Sequence, residues 1–116
     1  MDEGQQGPHL GLQQLLRTMV DVHASDLHLV HGYRPTYRVN GRLRAAETAP
    51  IDDDLIAEMI DSILPERVRH LPDLPKNLDF SISLDYDSTD HRFRANVFYA
   101  QEHPGVCFRY SPNEIP

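Results

Sequence analysis

The sequence has little cysteine, little positive charge and no long apolar run. Cys107 is the single cysteine, so the chain can form no internal disulfide and no CxxC zinc site. No segment approaches the roughly 18 consecutive apolar residues of a membrane span, and no export signal is visible. Lys and Arg total 11 against 18 Asp and Glu, and the net charge of −7 argues against a nucleic-acid or anionic-membrane partner. We therefore expect a cytoplasmic protein that binds no nucleic acid.

Against this acidic background, three arginines stand in strand-like segments near the C-terminus. Arg92 and Arg94 alternate with apolar residues from His91 to Val97, and Arg109 alternates with Val106 and Phe108. This period of two is typical of a half-buried strand. If the two strands pair through a Pro-Gly turn, the three guanidiniums lie on one face of the sheet. Guanidinium groups bind carboxylates and phosphates bidentately, so the pattern predicts an anionic partner.

The other periodicities predict the order helix, three strands, two helices, three strands. Asn40-Gly41 suits a type I′ hairpin turn, and Asp52 suits the N-cap of the second helix. Pro65 should end that helix and start a short third one, and a polar turn is expected between Asp85 and Asp90. The sequence thus predicts an α+β fold, with an antiparallel sheet of about five to six strands and helices packed on one face.

Domain boundaries follow from the segments that lack such periodicity. Residues 1–9 are polar and are expected to form a disordered leader, whereas residues 10–110 form the domain. Residues 111–116 contain two prolines and no packing pattern, which predicts the start of a linker. The proline-rich stretch from Leu71 to Pro75 is expected to be a rigid connector.

Several short motifs, in order, resemble one family of bacterial motor proteins. They are Ala24-Ser25-Asp26-Leu27-His28-Leu29, Gly32, Pro35, Arg38, Asn40-Gly41, Asp79-Phe80-Ser81, Arg92-Phe93-Arg94-Ala95-Asn96 and Cys107-Phe108-Arg109. Over roughly residues 10–112 the chain is similar to the N-terminal, PAS-like domain of the pilus-retraction (twitching motility) ATPases and the related ATPases of pilus assembly and type II secretion.

The resemblance implies a regulatory, nucleotide-capping domain whose catalytic partner lies elsewhere. In this family a linker joins the domain to a RecA-like motor domain in a homohexamer, which works at an inner-membrane platform protein. No GxxxxGK(S/T) motif occurs here, so the chain alone should be inactive. ATP with Mg²⁺ is expected only in the full-length protein, and no cofactor is expected in the isolated chain. Because the first helix starts close to Met1, the retraction branch is favoured.

The resemblance also implies a role for the three arginines. In the family, arginines of these strands reach the phosphates of ATP held mainly by the motor domain. Carried over to this chain, Arg94 is the first candidate, followed by Arg109 and Arg92. The alternative is that they are solvated strand residues that pair with carboxylates of the sheet, namely Asp79, Asp85 or Asp87.

Other polar residues are expected to be structural, with Asp26 capping a turn and His28 hydrogen-bonded at the sheet edge. Asp26 and His28 project from one face of a strand, but with His23 and His31 they form no familiar ligand set, and no metal site is predicted. Cys107 is expected to be an inert thiol.

The basic hairpin and the choice of function leave alternatives open. The hairpin with Arg34, Arg38, Arg42 and Arg44 suits either a subunit interface or a solvated surface. The alternative function is a stand-alone PAS-like sensor or adaptor that binds a ligand or a protein, which would require a closed ligand cavity.

Overall fold

Helices and strands follow one another in the predicted order. The computed structural model describes residues 9–69 and 76–111. Its elements are α1 Leu10–Asp21, β1 Asp26–Val30, β2 Thr36–Val39, β3 Arg42–Ala45, α2 Asp53–Asp61, α3 Glu66–Arg69, β4 Asn77–Tyr86, β5 Thr89–Ala100 and β6 His103–Ser111. The predicted leader (apart from His9), the proline-rich connector and the tail beyond Ser111 lie outside the described residues.

The six strands form one antiparallel sheet in the order β3-β2-β1-β6-β5-β4. The first and last strands of the chain are therefore neighbours at the centre of the sheet. This arrangement confirms the predicted α+β fold, and α1 and α2 contact the central strands β1 and β6. Among the described helices, none is long and apolar enough to cross a membrane.

The two faces of the sheet differ in composition because side chains alternate along each strand. The covered face carries buried apolar residues that pack with the helices, among them Leu27, Leu29, Phe93, Val97, Val106 and Phe108. The open face carries the polar residues that alternate with them, among them Asp26, His28, Arg92, Arg94, Asn96, Cys107 and Arg109. The three arginines thus lie on one face, as their spacing predicted.

Side chains cap the N-termini of the two longer helices, α1 and α2. Asp52 accepts a hydrogen bond from the backbone N–H of Leu55 at 2.9 Å, which confirms the predicted cap of α2. His9 caps α1 with its ring, since its Nδ1 accepts from the N–H of Gly11 at 2.9 Å. His9 therefore lies directly before the first residue of α1, at the end of the segment that was predicted to be a leader.

Hairpin turns were predicted correctly in one case and wrongly in another. Asn40 and Gly41 have φ of 52° and 79°, as a type I′ turn requires. The expected Pro-Gly turn is wrong: β5 and β6 join at Gln101 and Glu102, with φ of 54° and 68°, and Pro104 and Gly105 lie inside β6. The turn before β5 is also shorter than predicted, since only Asp87 and Ser88 separate the paired Tyr86 and Thr89.

The register of the β5–β6 hairpin places Gly105 within a paired strand, so the chain does not turn at Pro104-Gly105. Gly105 lies opposite Phe98, and a Cβ at Gly105 would meet the Phe98 ring at 2.5 Å. The aromatic ring therefore packs directly over a glycine backbone. The buried pairs farther along the strands, Ala95 with Phe108 and Val97 with Val106, hold the same register.

Candidate functional site

A row of charged side chains crosses the open face at one level. Strand register places Arg38, Asp26, Arg109 and Arg94 side by side on β2, β1, β6 and β5, and we call these four residues the charged row. Three arginines and one aspartate give the row a formal charge of 3 − 1 = +2. It is a local basic site on an acidic chain.

Asp26 is the organising residue of this row, although only 6% of it is exposed. Its carboxylate accepts hydrogen bonds from Ser25 Oγ at 2.8 Å and Arg109 Nε at 3.1 Å, and Arg38 Nε lies 3.7 Å away. Burial by itself would raise the pKa of Asp26, but the hydrogen bonds from Ser25 and Arg109 outweigh it and lower the pKa from its usual 3.8. The carboxylate is therefore a stable anion at neutral pH.

Arg94 differs from the other two candidate arginines in having no counter-ion among the described residues. Arg109 is bound to Asp26, and Arg92 Nε donates to Asp90 Oδ2 at 3.3 Å. Arg94 is exposed and makes no hydrogen bond or ion pair with residues 9–69 or 76–111. It also lies directly opposite Arg109, an arrangement that is unfavourable for two like charges. The structure thus places the first-ranked candidate beside a second cation.

Within the described residues, the carboxylates proposed as alternative partners are not the counter-ions of these arginines. Asp79 accepts instead from Asn96 Nδ2 at 3.2 Å. In the described part of the chain, neither Asp85 nor Asp87 forms an ion pair with the three arginines. The partner that sequence reasoning missed is Asp90, two residues before Arg92 on the same strand, so the spacing i, i+2 on one face could have revealed it.

The basic hairpin β2–β3 does not form a single basic surface. Arg38 belongs to the charged row and also donates to the carbonyl of Gly41 at 3.1 Å. Arg42 and Arg44 lie opposite Val39 and Tyr37 and so belong to the other face, at the exposed edge strand. The four arginines named in the sequence are therefore divided between two faces and a loop.

The structure contradicts the predicted position of His28 and agrees with the predicted inertness of Cys107. His28 was expected at a sheet edge, but β1 is a central strand, and His28 lies beside Cys107 on the open face. Burial, followed by the negative charge of Asp26, raises the pKa of the Cys107 thiol and favours its unreactive protonated form.

Histidine and aspartate side chains meet at a second place, which the sequence did not reveal. Asp26, His28, His23 and His31 form no joint ligand set within the described residues. The structure instead groups His31, Asp53 and His103, which come from three separate segments of the chain. Their separation in sequence, 22 and 50 residues, left no motif to detect.

Sequence comparison relates the chain to pilus ATPases. It is 28% identical over 104 residues to the type IV pilus ATPase PilU of Pseudomonas aeruginosa, and 28% identical over 106 residues to the retraction ATPase PilT of that organism. The matches cover 90% and 91% of this chain but 26% and 30% of those proteins. No family model matches the chain.

Solved structures agree with this relationship. A crystal structure of the pilus retraction motor PilT with bound ADP superimposes with a TM-score of 0.77 at 27% identity, over 90% of this chain and 30% of that one. The chain is therefore similar to a segment of about 100 residues of the type IV pilus ATPases PilU and PilT. The ATPase DotB of Legionella pneumophila shares the fold, with a TM-score of 0.77 at 19% identity over 99% of this chain and 32% of DotB. The chain thus spans about a third or less of the length of these relatives.

Proposed function

We propose that this domain is the regulatory, nucleotide-capping part of a pilus-retraction or secretion ATPase, and that Arg94 reaches the phosphates of ATP bound by a motor domain. Arg109 and Arg92 lie on the same face and would supply further positive charge to the phosphates. In this proposal the motor domain supplies the P-loop and Mg²⁺. The domain itself carries out no chemistry.

The observation that carries the proposal is that Arg94 forms no hydrogen bond or ion pair within the described part of the chain. An exposed arginine opposite another arginine gains nothing from its position in the isolated domain. A polyphosphate placed over the two side chains would relieve the repulsion and accept bidentate hydrogen bonds from both. Arg109 uses Nε to bind Asp26, so its terminal nitrogens remain able to donate outward.

Asp26 would orient the side chain of Arg109 within the site. Because Asp26 holds Arg109 from β1 and lies within ionic reach of Arg38 on β2, it sets the direction of the Arg109 guanidinium. The domain would then present a fixed cation, Arg109, beside a free one, Arg94. A nucleotide held by both domains would couple its own hydrolysis to their relative position.

The proposal extends to the assembly in which such a domain works. We place it in a cytoplasmic homohexamer that acts at the inner-membrane platform of a pilus or secretion machine. The similarity to PilU and PilT and the superposition on PilT support this placement. Transmission of motor strokes from one subunit to the next would be the task of the domain as a whole.

The decisive experiment replaces Arg94 in the full-length protein. Arg94→Ala should lower ATP turnover by about 100-fold, as expected for loss of one hydrogen-bond donor to the reacting phosphate, while light scattering shows an unchanged oligomer. Arg42→Ala, at the exposed edge strand, is the matched control and should turn over normally. Unchanged turnover in Arg94→Ala would remove Arg94 from the site.

The genomic reading frame provides a simpler test of the larger claim. A Walker A motif encoded downstream of Pro116 in the same frame is the expected result. A stop codon directly after Pro116 would contradict a motor domain in the same chain.

A further inference from the structure

We propose that His31, Asp53 and His103 bind a divalent transition-metal ion of the zinc class. One nitrogen of each imidazole and one carboxylate oxygen lie within 4.8 Å of one another. Two imidazoles and a carboxylate are a donor set that Zn²⁺ accepts, with water at the fourth position. This site is separate from the charged row and does not depend on a nucleotide.

Each of the three residues is held by a different part of the fold. His31 follows β1, Asp53 is the first residue of α2, and His103 is the first residue of β6 after the tight turn. Two backbone hydrogen bonds bind the first two segments together, from Gly32 N to Ile51 O at 2.8 Å and from Ile51 N to Tyr33 O at 3.1 Å. The φ of +81° at Gly32 favours glycine at this junction.

Within the cluster, nitrogen and oxygen atoms that could ligate a metal ion are in direct contact. His31 Nδ1 lies 2.6 Å from Asp53 Oδ1, yet both atoms are buried and neither has a partner with hydrogen-bond geometry. His103 Nδ1 lies 2.7 Å from the other carboxylate oxygen. A buried nitrogen and oxygen in contact but unsatisfied are costly, and a shared cation would satisfy both.

Binding requires a small rearrangement, which the exposure of the side chains allows. The two imidazoles are stacked, with centroids 4.1 Å apart and planes 6° from parallel, so at least one ring must turn toward the ion. Ligand atoms of a tetrahedral zinc ion lie about 3.3 Å apart, about 0.6 Å farther than these contacts. The side chains are 41%, 36% and 44% exposed and have room to separate.

The surrounding charge favours a cation. Asp53 is flanked by Asp52, the N-cap of α2, and by Asp54 in the first turn, and these carboxylates offset the positive end of the helix dipole. A bound ion would join α2 to the ends of β1 and β6 and so strengthen the contact between helix and sheet. Its role would be structural.

Calorimetric titration of the metal-free 116-residue chain with Zn²⁺ tests the proposal. We expect one ion per chain, and at least about tenfold weaker binding in each of His31→Ala, Asp53→Asn and His103→Ala, since even indirect supports of a metal cost that much. His23→Ala and His28→Ala are matched controls that should bind normally. Absence of binding, or normal binding in the first three variants, would overturn the site and identify the cluster as hydrogen-bonded only.

A second measurement keeps the test independent of variant folding. In NMR spectra of the unmutated chain, Zn²⁺ should shift the ring signals of His31 and His103 and leave those of His23 and His28 in place. Shifts confined to other histidines would rule out this site. Neither result bears on Arg94, so the metal site and the proposed function can fail separately.

Discussion

The covered and the open face of the sheet take their residues from the same central strands, yet the two faces are stabilised in different ways. On β5, Phe93 is fully buried among apolar neighbours, whereas Arg94 next to it is exposed and has no ion pair with residues 9–69 or 76–111. The covered face is stabilised by burial of apolar area, an effect that does not depend on the direction of individual contacts. The open face depends on specific pairs, and only Asp26 is enclosed enough for its pairs to contribute strongly.

The largest effect should come from the covered face. Phe93→Ala removes a fully buried ring and should lower the free energy of unfolding by about 3–5 kcal/mol, measured by urea denaturation. Phe98→Ala is the matched control, because Phe98 lies on the same strand but on the open face and is only half-buried. Equal losses in both variants would show that the two faces do not differ as described.

An intermediate effect is expected at Asp26. Asp26→Asn leaves Arg109 and Arg38 without a counter-ion, but both are partly exposed, so the loss should be about 2 kcal/mol, below that for a fully buried pair. Because the folded-state pKa of Asp26 is lowered, its contribution is present above pH 3.8 and is lost as the pH falls through the lowered value.

The pH dependence provides the check on Asp26. Unfolding curves of the two proteins should converge in acid, since protonated Asp26 resembles asparagine. Asp79→Asn, on the exposed part of the same face, should cost less than about 0.5 kcal/mol at any pH. A difference between Asp26→Asn and the parent chain that persists unchanged in acid would contradict the role of the carboxylate charge.

The smallest effect is expected at Arg94. Arg94→Ala should change the unfolding free energy of the isolated domain by less than about 0.5 kcal/mol, with a slight gain because the repulsion with Arg109 is removed. Arg92→Ala, which loses the exposed pair with Asp90, should cause a loss of similar size. Destabilisation above about 1 kcal/mol in Arg94→Ala would mean that Arg94 serves the fold rather than a ligand.

Much of the fold was predictable because it depends on local patterns. Alternation along β5 assigned Phe93 and Arg94 to opposite faces, and the capping preference of Asp52 located the start of α2. The predicted Pro-Gly turn failed because register is decided by long buried strands. Those strands placed the turn at Gln101 and Glu102, although positive φ costs such residues roughly 1 kcal/mol each.

By itself, the sequence determined the order of the elements, the composition of the two sheet faces and the similarity to pilus ATPases. These depend on periodicity and short motifs, which act over a few residues. Only the tertiary structure decided which charges meet: Arg109 binds Asp26 from 83 positions away, Arg94 has no partner among the described residues, and His31, Asp53 and His103 form one cluster. The contact of Arg109 with Asp26 follows from the pairing of β1 with β6, and no local pattern in the chain specifies that pairing.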